Sequence, residues 1–202
     1  MAGLLIFNKL DFNSKMLILL LACATPPNLS KYIFSDEKHR WIVYNINTLV
    51  DSAIWGFIFL RSSRSKKIKI LTVFLLCVQA IAFIWTCLFF GIASRFYNEF
   101  VCWDSLLQIF WVLSYFYEKY KYNAVSAFER EPLFWFCLGI LIYAPTTYFH
   151  FAYFKIIRVD KSPEVANLWN LHSLLNGLMY MIFFIGIIVN RKRASRYEVR
   201  AM

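Results

Sequence analysis

Five apolar runs divide this chain, each close to the length a bilayer demands and each bounded by a short cluster of charged or turn-forming residues. A helix that crosses the hydrocarbon core needs roughly 20 mainly apolar residues. Trp41–Leu60, Ile68–Ile92, Phe100–Tyr117, Pro132–Phe154 and Leu168–Asn190 meet that need. A sixth run, Met16–Phe34, is weaker. Its apolar part, Met16–Ala24, meets Pro26 and Pro27, which lack an amide donor and end or kink a helix. The pattern predicts an all-α fold, a polytopic transmembrane helix bundle of about six spans, five strong and one weak at the N-terminus. Residues 1–202 form a single transmembrane domain on this reading. The first residues, Met1–Phe12, read as a surface turn or the remnant of a further helix.

Composition agrees with a membrane solvent. Hydrophobic residues make up 60 % of the chain and charged residues 17 %, against about 45–50 % and about 25 % in soluble domains. A soluble core of this size could not hide 21 Phe, 12 Tyr and 7 Trp. Lipid accepts them, with Trp and Tyr favoured at the headgroup level. Trp41, Trp103 and Trp169 begin their helices at the same predicted face, as an interfacial belt would. Cys23, Cys77, Cys87, Cys102 and Cys137 include no C-x-x-C pair, and most lie in apolar runs, so they read as buried thiols. Leu20-Leu21-Ala22-Cys23 faintly matches a lipoprotein cleavage box, but Leu at its middle position and the polytopic remainder argue against processing there.

The net charge of +10 sits in short clusters between the apolar runs. That placement follows the positive-inside rule and is not that of a nucleic-acid-binding face. Arg61, Arg64, Lys66, Lys67 and Lys69 share one loop without an acid. The tail, 191–202, carries Arg191, Lys192, Arg193, Arg196 and Arg200 against one glutamate. Both are expected in the cytoplasm, together with the mixed loop Glu118–Glu131 and the N-terminus. Loops Ala93–Glu99 and Lys155–Asn167 then fall on the far side. The basic loop can also touch anionic lipid heads.

Polar side chains recur on one face of several spans. Helical spacing aligns Tyr44, Asn47, Thr48, Asp51 and Trp55 on the second helix, and Asp104, Gln108, Trp111 and Tyr115 on the fourth. It aligns Tyr143, Thr146, Thr147 and His150 on the fifth, where Pro145 should kink the backbone, and Trp169, His172, Asn176 and Tyr180 on the sixth. The third offers Gln79. Asp51-Ser52, Asp104-Ser105 and His172-Ser173 recur at similar places on three helices of one direction. They read as a degenerate helix-hairpin repeat or as chance recurrence. Counting from the helix ends puts Asp104, His150 and His172 at similar depth in the outer leaflet, with Asp51 deeper.

Polar groups in a bilayer are costly and usually face the bundle interior or a wet cavity. The expected site is therefore an outward-facing polar and aromatic pocket built from Asp51, Asp104, His172, Asn176, Gln108, Asn47, His150 and Tyr143, with Asp51 at its floor. Each residue also has a plainer reading: amides as helix-to-helix glue, His150 as a packing residue at the interface, Asp104 as a solvated acid. Of these, Asp51 is the hardest to dismiss, since a mid-bilayer carboxylate must be paired, protonated or wet.

Nucleotide-, flavin- and hydrolase-type motifs are absent, and no Lys sits mid-helix as a Schiff-base anchor would. Nothing implies a cofactor. The first functional expectation is binding of a small polar or amphipathic molecule or a lipid, by a sensor or receptor whose basic tail meets a cytoplasmic or membrane protein, or by a small transporter. The alternatives are a membrane-embedded metal-dependent hydrolase, drawing on His150, His172, Asp104 and Asp51, and a non-catalytic accessory subunit whose polar stripes only bind helices together.

The segments WDSLLQIFWVLSYFYEKY, PLFWFCLGILIYAPTTYF and LWNLHSLLNGLMYMIFFIGI, all within Phe96–Ile188, carry a resemblance. They resemble an uncharacterised multipass membrane protein family of Bacteroidota, over about half of the chain. Such proteins tend to carry Glu where this chain has Asp51 and Asp104, and to have one more N-terminal helix. The resemblance implies a bacterial inner (plasma) membrane and no particular activity.

Overall fold

The computed structural model describes residues 12–23, 25–122, 129, 131–153 and 163–200. Its helices, in chain order, are α1 (Phe12–Cys23), α2 (Thr25–Ile33), α3 (Glu37–Ser62), α4 (Lys66–Phe90), α5 (Asn98–Lys121), α6 (Pro132–Ala152) and α7 (Pro163–Arg200). No strand occurs among the described residues. Helices α3 to α6, and Asn167–Val189 within α7, are long and apolar enough to cross a membrane. The chain is thus an all-α bundle, as the hydropathy pattern predicts. In hydrocarbon this is the expected solution, because a helix satisfies its own backbone hydrogen bonds.

The weak N-terminal run differs from a single span. It forms two short helices of 12 and 9 residues, α1 and α2. Pro26 and Pro27 lie in the first turn of α2, where an amide would have no intrahelical partner anyway. The Thr25 hydroxyl donates to the Leu21 carbonyl at 3.2 Å, answering one of the last carbonyls of α1. Together the two helices run antiparallel along α3. At one end the Asn13 amide meets the Ser62 hydroxyl at 3.3 Å, and the Arg61 guanidinium lies 4.3 Å from the Phe12 ring centre. At the other end Phe34 stacks on His39 at 5.7 Å. Residues 1–11 and the loop at 154–162 lie outside the described residues, as do the side chains of the basic tail; the tail backbone continues α7 to Arg200. All five cysteines are free thiols.

Helix ends depart from the hydropathy boundaries where polar residues find backbone partners. Asp36 caps α3 by accepting from the Lys38 amide at 3.0 Å, a bond that holds its carboxyl below the usual range. Glu118 was expected in a loop but lies inside α5, 7 % exposed. Its carboxylate accepts from the Ser63 hydroxyl at 2.7 Å, the Arg64 amide at 3.0 Å and the Ser65 amide at 2.6 Å. Ser65 makes no side-chain cap for α4, so an acid from another span caps that helix where its amides are unanswered. Beside it the Lys119 ammonium meets Glu131 at 2.6 Å, and the Tyr115 hydroxyl donates to the same carboxylate at 3.2 Å. At the opposite end Gly91, with φ of 77°, stops α4 in a backbone conformation that suits glycine.

Helix α6 packs extensively on both α5 and α7, and its seam with α7 is a reciprocal fit. The Phe183 ring of α7 covers Gly139 of α6, and the Phe136 ring of α6 covers Gly186 of α7. The two rings meet edge to face at 5.7 Å. Proline at position 145 does not break α6. By contrast only 11 % of the apolar stretch of α4 is buried. Phe74, Ile81, Trp85 and Leu88 point outward there, as lipid-facing residues do.

Two outcomes test this packing. Glu118→Ala orphans three donors, at a cost of about 1–3 kcal/mol, and should lower the melting temperature of the detergent-solubilised protein, with Glu118→Gln less severe. A methyl at Gly186 would sit 2.5 Å from the Phe136 ring and 3.1 Å from the Pro132 carbonyl, whereas one at Gly177 meets nothing within 4 Å. Gly186→Ala should therefore destabilise by about 1–3 kcal/mol in a denaturant titration, while Gly177→Ala is neutral or stabilising.

Candidate functional site

The bundle encloses a cavity of about 460 Å³. Side chains from α1, α2, α3, α5, α6 and α7, together with Phe96 before α5, line it. Of the expected site residues, Asp51, Asp104, His172, Asn176, Gln108, Asn47 and Tyr143 all lie on its wall. His150 does not. Its ring stacks behind that of His172, with centroids 4.6 Å apart and planes at 16°, and packs against Trp169 at 4.2 Å.

The acid wall comes from α3 and α5. One Gln108 amide nitrogen donates to Asp51 Oδ2 at 3.2 Å and to Asp104 Oδ2 at 2.8 Å. Ser52, one residue beyond Asp51, donates to Asp104 Oδ1, and its oxygen accepts from the Gln79 amide of α4 at 2.8 Å. Asp104 is 6 % exposed, whereas Asp51 is half-buried with its face on the cavity. The two acids therefore sit at one level, not at the different depths that counting along each helix suggested. The reason is that Gln108 lies one turn along α5 from Asp104 and spans to α3 at the same height.

The facing wall comes from α6 and α7. The Tyr143 hydroxyl lies 3.3 Å from His172 Nε2. Nδ1 of His172 is buried without a hydrogen-bond partner. Asn176 and Tyr180 continue this wall one and two turns deeper along α7. The floor is aromatic and aliphatic: Trp55 and Phe183, ring centres 5.9 Å apart, with Ile140 and Met179. Asp51 is thus a wall residue and not the floor, because α3 carries Trp55 one turn further in. Leu20 and Pro27 of the N-terminal pair close one side.

Aromatic rings line the cavity at the end away from the basic turn. Tyr44 meets Phe96 edge to face at 5.9 Å, Phe96 meets Phe151 at 5.7 Å, and Phe151 meets His172 at 5.8 Å. Trp169 is 40 % exposed at this end. Asn45 ties down the loop that holds Phe96: its amide donates to the carbonyls of Ile92 at 3.0 Å and Arg95 at 2.9 Å and accepts from the Tyr97 amide at 3.0 Å.

The sequence pattern marks Ser52 only as part of a recurring pair, not as the hub of the acid network, and it does not mark Asn45. Both stand next to residues that were singled out, and only a neighbouring span reveals their partners. Among the described residues no three His, Cys, Asp or Glu side chains converge as a metal ligand set would. The two histidines stack on each other, and the two aspartates pair on the facing wall.

Gln108→Leu removes the donor shared by both acids and leaves them with fewer partners in a low-dielectric wall. The cost should be about 1–3 kcal/mol, read as a lower melting temperature in detergent, and Gln108→Asn should recover less than half of it because the shorter amide cannot span both acids. No protein-family model, curated protein or solved structure matches this chain.

Proposed function

We propose that this chain is a multi-spanning membrane protein that takes a small polar or amphipathic ligand into the cavity, as a sensor or a small transporter. The observation that carries the reading is the convergence of seven polar candidates, from four separate helices, on one void of about 460 Å³. That volume falls in the range of about 300–1,000 Å³ usual for small-molecule sites. The lining has the usual character too: an apolar floor, aromatic rim and a few converging polar groups. Polar side chains at bilayer depth cost free energy, and helix adhesion alone accounts poorly for Asn47 and Asn176, which line the cavity.

Orientation follows from charge. With Arg61, Arg64 and Lys66 to Lys69 in the cytoplasm of a bacterial cell, the aromatic end of the cavity faces the non-cytoplasmic side. A sensor would pass occupancy to a cytoplasmic or membrane partner through α7, which ends in the basic tail.

The test is a thermal-shift screen of the full chain in nanodiscs against polar metabolites, amphiphiles and lipids. At least one class should raise the melting temperature of the wild type and not that of Asn176→Trp, which fills the cavity. Counterflow in proteoliposomes then divides the two modes: flux of a stabilising ligand marks a transporter, binding without flux a sensor. If no library member binds, the reading fails.

A further inference from the structure

We propose that the occupant is a cation with an apolar body, an alkyl- or arylalkylammonium, held with its charged head at Asp51 and its body among the rings of Tyr44, Tyr143 and Tyr180. This rests on the reading of the cavity as a binding site and narrows it to a ligand class.

The charge inventory of the wall is the first argument. Among the described residues the cavity is lined by two carboxylic acids, one imidazole and no Lys or Arg. Among the described residues, the ion pairs with Asp or Glu all lie at the ends of the bundle, on Asp36, Glu37, Glu99 and Glu131. Asp51 and Asp104 accept from the Gln108 amide and the Ser52 hydroxyl and hydrogen-bond each other. A proton shared between two carboxyls leaves the pair one negative charge, which no ion pair among the described residues answers and which in a low-dielectric site attracts a cation more strongly than in water. An anionic ligand would meet that charge and find no cation on the described wall to offset it.

Position is the second argument. Both acids line the cavity, but Asp104 accepts from two donors and is 6 % exposed, whereas Asp51 accepts from Gln108, hydrogen-bonds Asp104 and is the more exposed of the two. An arriving N–H donor therefore has an acceptor with spare lone pairs facing it. The rings of Tyr44, Tyr143 and Tyr180, each partly exposed, flank the same space. Aromatic faces stabilise ammonium groups and also accept the apolar body by burial. Head and body thus have separate partners in the cavity.

The experiment compares 4-phenylbutylammonium with 4-phenylbutanol, which replaces the charged head by a hydroxyl. Binding is read by tryptophan fluorescence on the full chain in phosphatidylcholine nanodiscs, with empty nanodiscs correcting for partition into lipid. The ammonium should bind at least about tenfold tighter, and Asp51→Asn should bring the ratio near unity while Asp51→Glu retains it. Should Asp51→Asn fail to fold, the wild-type ratio and Asp51→Glu still decide. Equal or tighter binding of the alcohol overturns the cationic class yet leaves the cavity as a site for neutral ligands. Binding of other screened molecules but of neither probe overturns the class in the same way. No binding by any compound, probes and screen alike, overturns both readings together.

Discussion

A single hydrogen-bonded set of side chains fixes how three of the spans sit against each other. Gln79 of α4 donates to Ser52 of α3, Ser52 to Asp104 of α5, and Gln108 of α5 to both Asp104 and Asp51. At bilayer depth the alternative partner for each group is hydrocarbon, so bonding across spans is favoured; within the set only Gln79 Oε1 is buried without a partner. The angular cost of losing this register is steep. Sliding one residue along α3 turns a side chain by about 100°, which would carry Ser52 away from both partners at once. Apolar packing alone does not specify rotation so sharply, because Leu, Ile and Phe fill many arrangements with similar area.

Below this network the packing becomes dry and aromatic. Phe59 stacks on Trp111 at 5.9 Å, and the Trp111 indole donates to Thr72 of α4 at 3.2 Å. That contact repeats the logic of the hub one layer down: α4, mostly lipid-facing, is held to the bundle by Gln79 and Thr72, its few buried polar groups, together with Phe83. At the basic end Glu118 adds a third tie, binding the turn between α3 and α4 to α5. The three ties fall at successive heights along α4.

Much of this was legible in the sequence, and unevenly so. On α3 and α7 every residue of the predicted stripes lines the cavity, because a helical period fixes a face regardless of neighbours. On α5 the stripe divides: Asp104 and Gln108 reach the void, while Trp111 and Tyr115 pack against Thr72 and Glu131. Periodicity cannot see that division, since it depends on where α4 and α6 close over α5. Relative depth was misjudged for the same reason; residue counts from helix ends ignore which spans bond across. Glu118 and Asn45 carry no signature in the side-chain pattern because their partners are mainly backbone groups of turns. The Pro-Pro break was legible, but its consequence was not. Two short helices in place of one long one let Leu20 and Pro27 form a cavity wall.

The cavity itself is what remains when two well-packed units cannot meet. On one side the α6–α7 seam is locked by paired glycines and phenylalanines, so neither helix can lean inward without driving a ring into backbone. On the other side the hub holds α3 and α5. Helices α3 and α7 consequently make few contacts, with the Trp55–Phe183 ring pair joining them at the floor. Such a void does not depend on an occupant for its shape. A preorganised site spends little of its binding energy on ordering walls, so discrimination among occupants falls to the few groups that face the space. In this chain those groups are an acid on α3 and the rings around it. On the proposed reading of the cavity as a binding site, the uneven exposure of the two aspartates would therefore bear more directly on ligand choice than the volume does.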